Sequence, residues 1–102
     1  MASATHKIVL AASVAEHLRW LSAAERGRVL DSIDRQLTQE PRVETRNRRP
    51  MRPNPLATWE LRVGFLRVFY EVVGGDPSEV RVLAVGKKER SILRIGGREM
   101  VL

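Results

Sequence analysis

Two arginines beside a glycine turn are the residues of this sequence best placed to do chemistry. Arg62 and Arg67 flank Gly64 and Phe65, and a two-residue turn at those positions puts the two arginines directly opposite each other on paired strands. Like charges in that position destabilise a sheet, but two guanidinium groups can hold one phosphate from both sides. The pattern predicts an anion site between the strands. The alternative is a solvated sheet face on which Glu60 neutralises one arginine.

The positive charge lies mostly in the middle third of the chain. The 102 residues carry a formal net charge of +6, and residues 41–70 hold seven arginines against two glutamates. Fifteen of the eighteen basic side chains are arginine, whose planar fork binds phosphate or carboxylate bidentately. This distribution indicates a surface for a polyanion, either nucleic acid or an acidic protein partner. A solvated basic surface is the simpler alternative.

Composition excludes several other kinds of site. The sequence has no cysteine, which excludes disulfides, zinc knuckles and thiol catalysis. His6 and His17 lack companion ligands, so we expect neither a metal site nor a cofactor. The apolar runs are too short for a signal peptide or a membrane span. We therefore expect one cytoplasmic domain over residues 1–102.

The first half of the chain predicts a strand followed by two helices. Residues 6–11 form a short β-branched, apolar run typical of a strand. Ser13 with Glu16, and Ser22 with Glu25, match the capping box, in which a serine and a glutamate three residues later satisfy free backbone amides. Helical spacing of apolar residues then predicts helices over about 14–21 and 23–39.

The second half predicts an antiparallel meander. Residues 42–55 contain three prolines and are predicted to be a connecting loop. The pattern has a period of two residues over 59–63 and 66–70, with Trp59, Leu61, Val68 and Tyr70 on the core side. The other face carries Glu60, Arg62, Arg67 and Phe69. A third strand over 79–86 follows a Gly-Gly-Asp-Pro turn at 74–77. The predicted fold class is α+β, in β-α-α-β-β-β order, with a helical hairpin packed on a small, mostly antiparallel sheet.

Three segments resemble one known family. Residues 59–70, WELRVGFLRVFY, resemble the W-x-L-R-V-G-x-x-R-V-x-Y hairpin of the RelE/ParE toxins of type II toxin–antitoxin systems. Residues 84–90, AVGKKER, are similar to that family's VGHR/VGKRE segment, and residues 48–52, RRPMR, to its K/R-P-L approach to the hairpin. The resemblance is closer to the RelE-like branch and covers roughly residues 6–92. Residues 93–102 are expected to be a tail or, around Gly96 and Gly97, a small hairpin.

The resemblance implies a toxin that a cognate antitoxin neutralises. In the RelE branch the activity is metal-independent cleavage of messenger RNA on the ribosome, by attack of a ribose 2′-hydroxyl on the adjacent phosphate. Arg67 matches the arginine that contacts the scissile phosphate, and Arg62 and Lys88 match further basic residues. Glu60 is the only obvious general base on the same face. Seven further cations are expected to bind RNA: Arg46, Arg48, Arg49, Arg52, Lys87, Arg90 and Arg94.

The sequence also departs from the family pattern. Arg94 stands near the position of a C-terminal tyrosine that family nucleases often carry, and Glu60 stands where some members have lysine. These departures leave two alternatives open. One is a ParE-like inhibitor of DNA gyrase, which acts by binding a protein. The other is a catalytically degenerate RNA-binding member.

Overall fold

A computed structural model of the chain describes residues 5–75 and 78–102. Its elements follow the predicted order and extend it at the C-terminal end. They are β1 (Lys7–Leu10), α1 (Val14–Arg19), α2 (Ala23–Leu37), β2 (Arg48–Pro50), β3 (Trp59–Val63), β4 (Leu66–Val73), β5 (Glu79–Glu89), β6 (Ile92–Ile95) and β7 (Arg98–Met100).

The strands form one mixed sheet with the order β2-β3-β4-β5-β6-β7. Neighbours along this path are antiparallel, whereas β1 pairs in parallel with the first part of β5, residues 79–82. Strand β6 pairs with the last part of β5, residues 86–89. On the side away from β4, the long strand β5 therefore pairs first with β1 and then with β6. The predicted α+β class, with a mostly antiparallel sheet, is confirmed.

One predicted capping box forms and the other does not. At the start of α2, the Ser22 hydroxyl accepts the Glu25 amide at 3.1 Å and the Glu25 carboxylate accepts the Ser22 amide at 2.9 Å. The capping box predicted for Ser13 is wrong, because its backbone is already helical (φ −65°, ψ −21°), whereas Ser22 is extended (φ −66°, ψ 163°). An extended N-cap is the conformation that directs the hydroxyl toward the free amides.

The main core lies between the helices and one face of the sheet. Its strand residues include Leu61, Val68 and Tyr70, as predicted, and its helix residues include Val29 and Ile33. Burying these apolar side chains is the main force that holds the helical hairpin on the sheet. The buried Tyr70 hydroxyl donates to the Pro41 carbonyl at 2.8 Å, so this tyrosine serves packing, as expected from the sequence.

A second, smaller core lies on the opposite face, around the fully buried Phe69. It consists of Ala57, Phe69, Ala84, Leu93 and Ile95. The sequence reading missed one element, β2, which lies in the predicted loop 42–55 and pairs with β3. At the C-terminal end, where the sequence left open a tail or a small hairpin, strands β6 and β7 are joined by a Gly96-Gly97 turn.

Strand β5 continues three residues past its predicted end at 86, to Glu89. Asp76 and Pro77 of the predicted turn at 74–77 lie outside the described residues. In the part of the chain that the structure describes, neither helix has the length and apolar character needed to cross a bilayer.

Candidate functional site

The β3–β4 hairpin has the register that the sequence predicts. Arg62 lies opposite Arg67, and Glu60 opposite Phe69. Gly64 opens the two-residue turn with φ +59°, a conformation that costs an L side chain free energy and suits glycine. A Cβ on Gly64 would also lie 2.9 Å from a guanidinium nitrogen of Arg28. The turn therefore fixes the two arginines opposite each other.

Arg67 is held by the backbone and keeps donors free. Its Nη1 donates to the carbonyl oxygens of Gly64, at 2.7 Å, and Leu66, at 2.9 Å. Within residues 5–75 and 78–102, its Nε and Nη2 have no acceptor. Burial lowers the pKa of the Arg67 guanidinium, the charge of Glu60 raises it and the charge of Arg62 lowers it again. A guanidinium stays protonated at neutral pH nonetheless, so Arg67 offers a fixed, partly desolvated cation.

Arg62 is paired with a carboxylate. Its Nε donates to Glu60 Oε1 at 2.8 Å, and the Glu60 side chain is only 18% exposed. The cross-strand pair is therefore asymmetric, because Glu60 neutralises Arg62 whereas Arg67 has no direct ion pair with any described residue. One arginine is thus neutralised by Glu60, as the solvated-face alternative predicts, whereas the anion site at the other arginine stays a prediction.

Two adjoining cavities meet at Glu60. One, of about 530 Å³, is lined by Arg49, Arg52 and Arg62, and the other, of about 370 Å³, by Arg67 and Lys88. Met51, Glu60 and Leu102 line both cavities. We call the two together the basic groove, defined by its charged lining residues Arg49, Arg52, Glu60, Arg62, Arg67 and Lys88. It brings five cationic side chains around one acidic side chain, an arrangement suited to a phosphate backbone.

Two of the cations predicted to bind RNA have structural contacts instead. Arg48 is buried, and its guanidinium donates to the Val43 carbonyl at 2.9 Å and to the carbonyl and side chain of Gln36 at 3.0 and 2.7 Å. Lys87 binds Glu25 at 2.7 Å, at the start of α2. The hydrogen bond with Glu25 raises the pKa of Lys87. Neither side chain lines the basic groove.

The other predicted cations lie outside the groove lining. Arg46 and Arg90 are exposed, and Arg94 is half-buried on β6. The structure thus brings together all four predicted catalytic residues, Glu60, Arg62, Arg67 and Lys88, but only Arg49 and Arg52 of the predicted RNA contacts.

The sequence reading missed the apolar and turn residues of the groove. Phe69, Leu93 and Ser91 line its Arg67 side. Ser91 and Arg90 form the β5–β6 turn, both with positive φ (70° and 51°). No glycine or asparagine marks this turn, so the usual sequence signal for it is missing. The described residues contain no group of three or more histidine, cysteine or acidic side chains that could hold a metal ion.

Comparison with known proteins gives a structural similarity. A chain in the crystal structure of the toxin–antitoxin complex RelBE2 from Mycobacterium tuberculosis aligns with a TM-score of 0.66 and 19% identity, over 82% of this chain and 99% of that one. No protein-family model and no curated protein matches the sequence. A similarity at this level of identity demonstrates a shared fold. The chain therefore shares its fold with that chain of the RelBE2 complex, in agreement with the sequence resemblance.

Proposed function

We propose that this protein is the toxin of a type II toxin–antitoxin module and a metal-independent endoribonuclease that cleaves messenger RNA on the ribosome. The observation that carries the proposal is the basic groove, in which Arg67 keeps free donors beside the Glu60–Arg62 ion pair. The structural neighbour comes from a toxin–antitoxin complex, which supports a cognate antitoxin as partner. The reaction would take place in the cytoplasm.

The groove supplies groups for attack of a 2′-hydroxyl on the adjacent phosphate. Arg62 occupies Oε1 of Glu60, which orients the carboxylate and leaves Oε2 to take the hydroxyl proton. The new O–P bond places extra charge on the non-bridging oxygens, and the Arg67 guanidinium stabilises it. Lys88 lines the same cavity and donates a proton to the 5′-oxygen as the bond from phosphorus to that oxygen breaks. The products are a 2′,3′-cyclic phosphate and a 5′-hydroxyl end.

The first test is in vitro translation of a defined message on purified ribosomes, with the 5′ ends of the message mapped. Wild type should cut within ribosome-occupied codons. Arg67→Ala should cut about 10²–10³-fold more slowly, the loss seen when one donor to a developing oxyanion is removed. Arg35→Ala is the matched control, because Arg35 is an exposed arginine paired with Asp31 on α2, and it should cut at the wild-type rate.

Other outcomes would contradict the proposal. An intact message with unimpaired translation would overturn it, and inhibition of supercoiling in a gyrase assay would then favour the protein-binding alternative. Cleavage by Arg67→Ala at the wild-type rate would exclude the groove as the active site. Growth arrest on expression that no co-expressed antitoxin from the same operon relieves would contradict the toxin–antitoxin part.

A further inference from the structure

A third cavity lies apart from the basic groove, between α1 and the β6–β7 turn. Its volume is about 610 Å³, and none of its lining residues lines the basic groove. Two arginines, a histidine and a tryptophan line it: Arg19, Arg98, His17 and Trp20. A volume in this range is typical of small-molecule sites.

Polar donors dominate this cavity. Arg19 and Arg98 have no hydrogen-bond or ion-pair partner for their side chains among the described residues, so both guanidinium groups are available. The Nδ1 atom of His17 accepts the Val85 amide at 3.3 Å, which places the proton of the neutral ring on Nε2. Glu16 is the single acidic residue in the lining. The cavity therefore favours an anion.

The tryptophan adds a flat apolar surface beside these donors. Trp20 is 43% exposed, and its pyrrole ring packs on Gly97, where a Cβ would lie 2.6 Å from Nε1. Gly97 has φ +81°, so both the turn and the close contact require glycine. The indole is thus fixed by the backbone while it remains accessible to an aromatic ligand.

We propose that this cavity is a nucleotide site, in which Arg19 and Arg98 bind the phosphate and the Trp20 indole stacks on the base. An anion alone would not use the indole, and an uncharged aromatic would not use the two arginines. The nucleotide can be free or part of an RNA strand. The proposal concerns a surface distinct from the basic groove and does not depend on the proposed nuclease activity.

The experiment uses the intrinsic fluorescence of Trp20. The protein has two tryptophans, so Trp59→Phe leaves Trp20 as the only reporter. Adenosine 5′-monophosphate should quench it saturably, whereas adenosine, which lacks the phosphate, should bind about tenfold more weakly or worse. Isothermal titration calorimetry on wild type measures the same affinity without the Trp59 substitution, which guards against loss of fold in that variant.

Removing a positive charge and removing a negative charge from the cavity lining should change the affinity for the nucleotide in opposite directions. Arg19→Ala and Arg98→Ala should each weaken binding about tenfold, whereas Glu16→Gln should strengthen it by removing like-charge repulsion. Arg35→Ala and the groove variant Arg67→Ala should leave it unchanged. A single-stranded RNA tetranucleotide distinguishes the sources: tighter binding than the mononucleotide, lost in Arg19→Ala, indicates a strand, and equal or weaker binding indicates a free nucleotide.

Three results would overturn the proposal. They are the absence of saturable binding of either nucleotide ligand at millimolar concentration, binding that is insensitive to both arginine variants, and quenching by a hexaglutamate peptide but by neither nucleotide. The last result would assign the cavity to an acidic protein partner. If the wild-type protein binds the nucleotide at this cavity but has no nuclease activity, the proposed function is contradicted and the nucleotide site is not.

Discussion

At the scale of single residues, two adjacent arginines have different structural roles. Arg48 is buried and donates three hydrogen bonds to Val43 and Gln36, whereas Arg49 is exposed and lines the basic groove. Arg48→Ala should lower the free energy of unfolding by about 2–3 kcal/mol because it leaves those acceptors without a hydrogen-bond donor. Arg49→Ala should change it by less than about 0.5 kcal/mol. Urea denaturation of both variants measures the difference, and equal losses would contradict the structural assignment of Arg48.

His17 gives the protein a pH-dependent stability. Burial lowers the pKa of His17 below 6.5, against a raising effect of the Glu16 charge. The neutral ring is also the form that accepts the Val85 amide. The unfolded chain therefore binds the proton first as pH falls. The stabilisation is complete above about pH 6.5 and is lost as pH falls toward the lowered pKa. Urea denaturation at pH 7.5 and pH 5.5 should show a larger loss for wild type than for His17→Gln. Parallel losses would contradict this role.

At the scale of elements, the two helix starts provide a matched pair. Ser22 has both hydrogen bonds of its capping box, and Ser13 has no side-chain cap. Ser22→Ala should therefore lower the free energy of unfolding by about 1 kcal/mol, the usual value of an N-cap. Ser13→Ala should be close to neutral, since alanine loses nothing in a helical conformation. Thermal or urea unfolding of the two variants is the measurement, and a larger effect at Ser13 would be inconsistent with the observed backbone.

At the scale of the whole molecule, the net charge of +6 concerns binding more than folding. Five cations line the basic groove, but Arg62 is paired with Glu60. If each of the other four neutralises one phosphate of single-stranded RNA, the slope of log affinity against log salt should be about −2.8. Arg67→Ala should reduce the slope by about 0.7, and Arg35→Ala should not change it. Fluorescence anisotropy with a labelled RNA at several salt concentrations tests this. A slope near zero would exclude the groove as a phosphate-binding surface.

The β3–β4 hairpin shows how much structure can be predicted from local sequence. Alternation of apolar and polar residues over 59–70 and the glycine at position 64 predicted the complete β3–β4 register, including Arg62 opposite Arg67. This prediction is right because a side chain's face is fixed by a period of two residues and the register by the length of the turn. The same local pattern predicted the capping box at Ser22 correctly but failed at Ser13, because the backbone of Ser13 is itself helical and its side chain caps no amide.

The sequence by itself determined the α+β class, the order of its first elements, the hairpin register and the concentration of positive charge, because each depends on neighbours in the chain. Only the tertiary structure decided which cations are free. Arg48 and Lys87 are taken up by α2 or its start, and the basic groove exists because residues 49–54 and the strand β6 border the same face. The cavity at Trp20 likewise joins residues of α1 to a turn almost eighty residues away. Contacts between distant segments are set by packing of the whole core, and no local pattern encodes them.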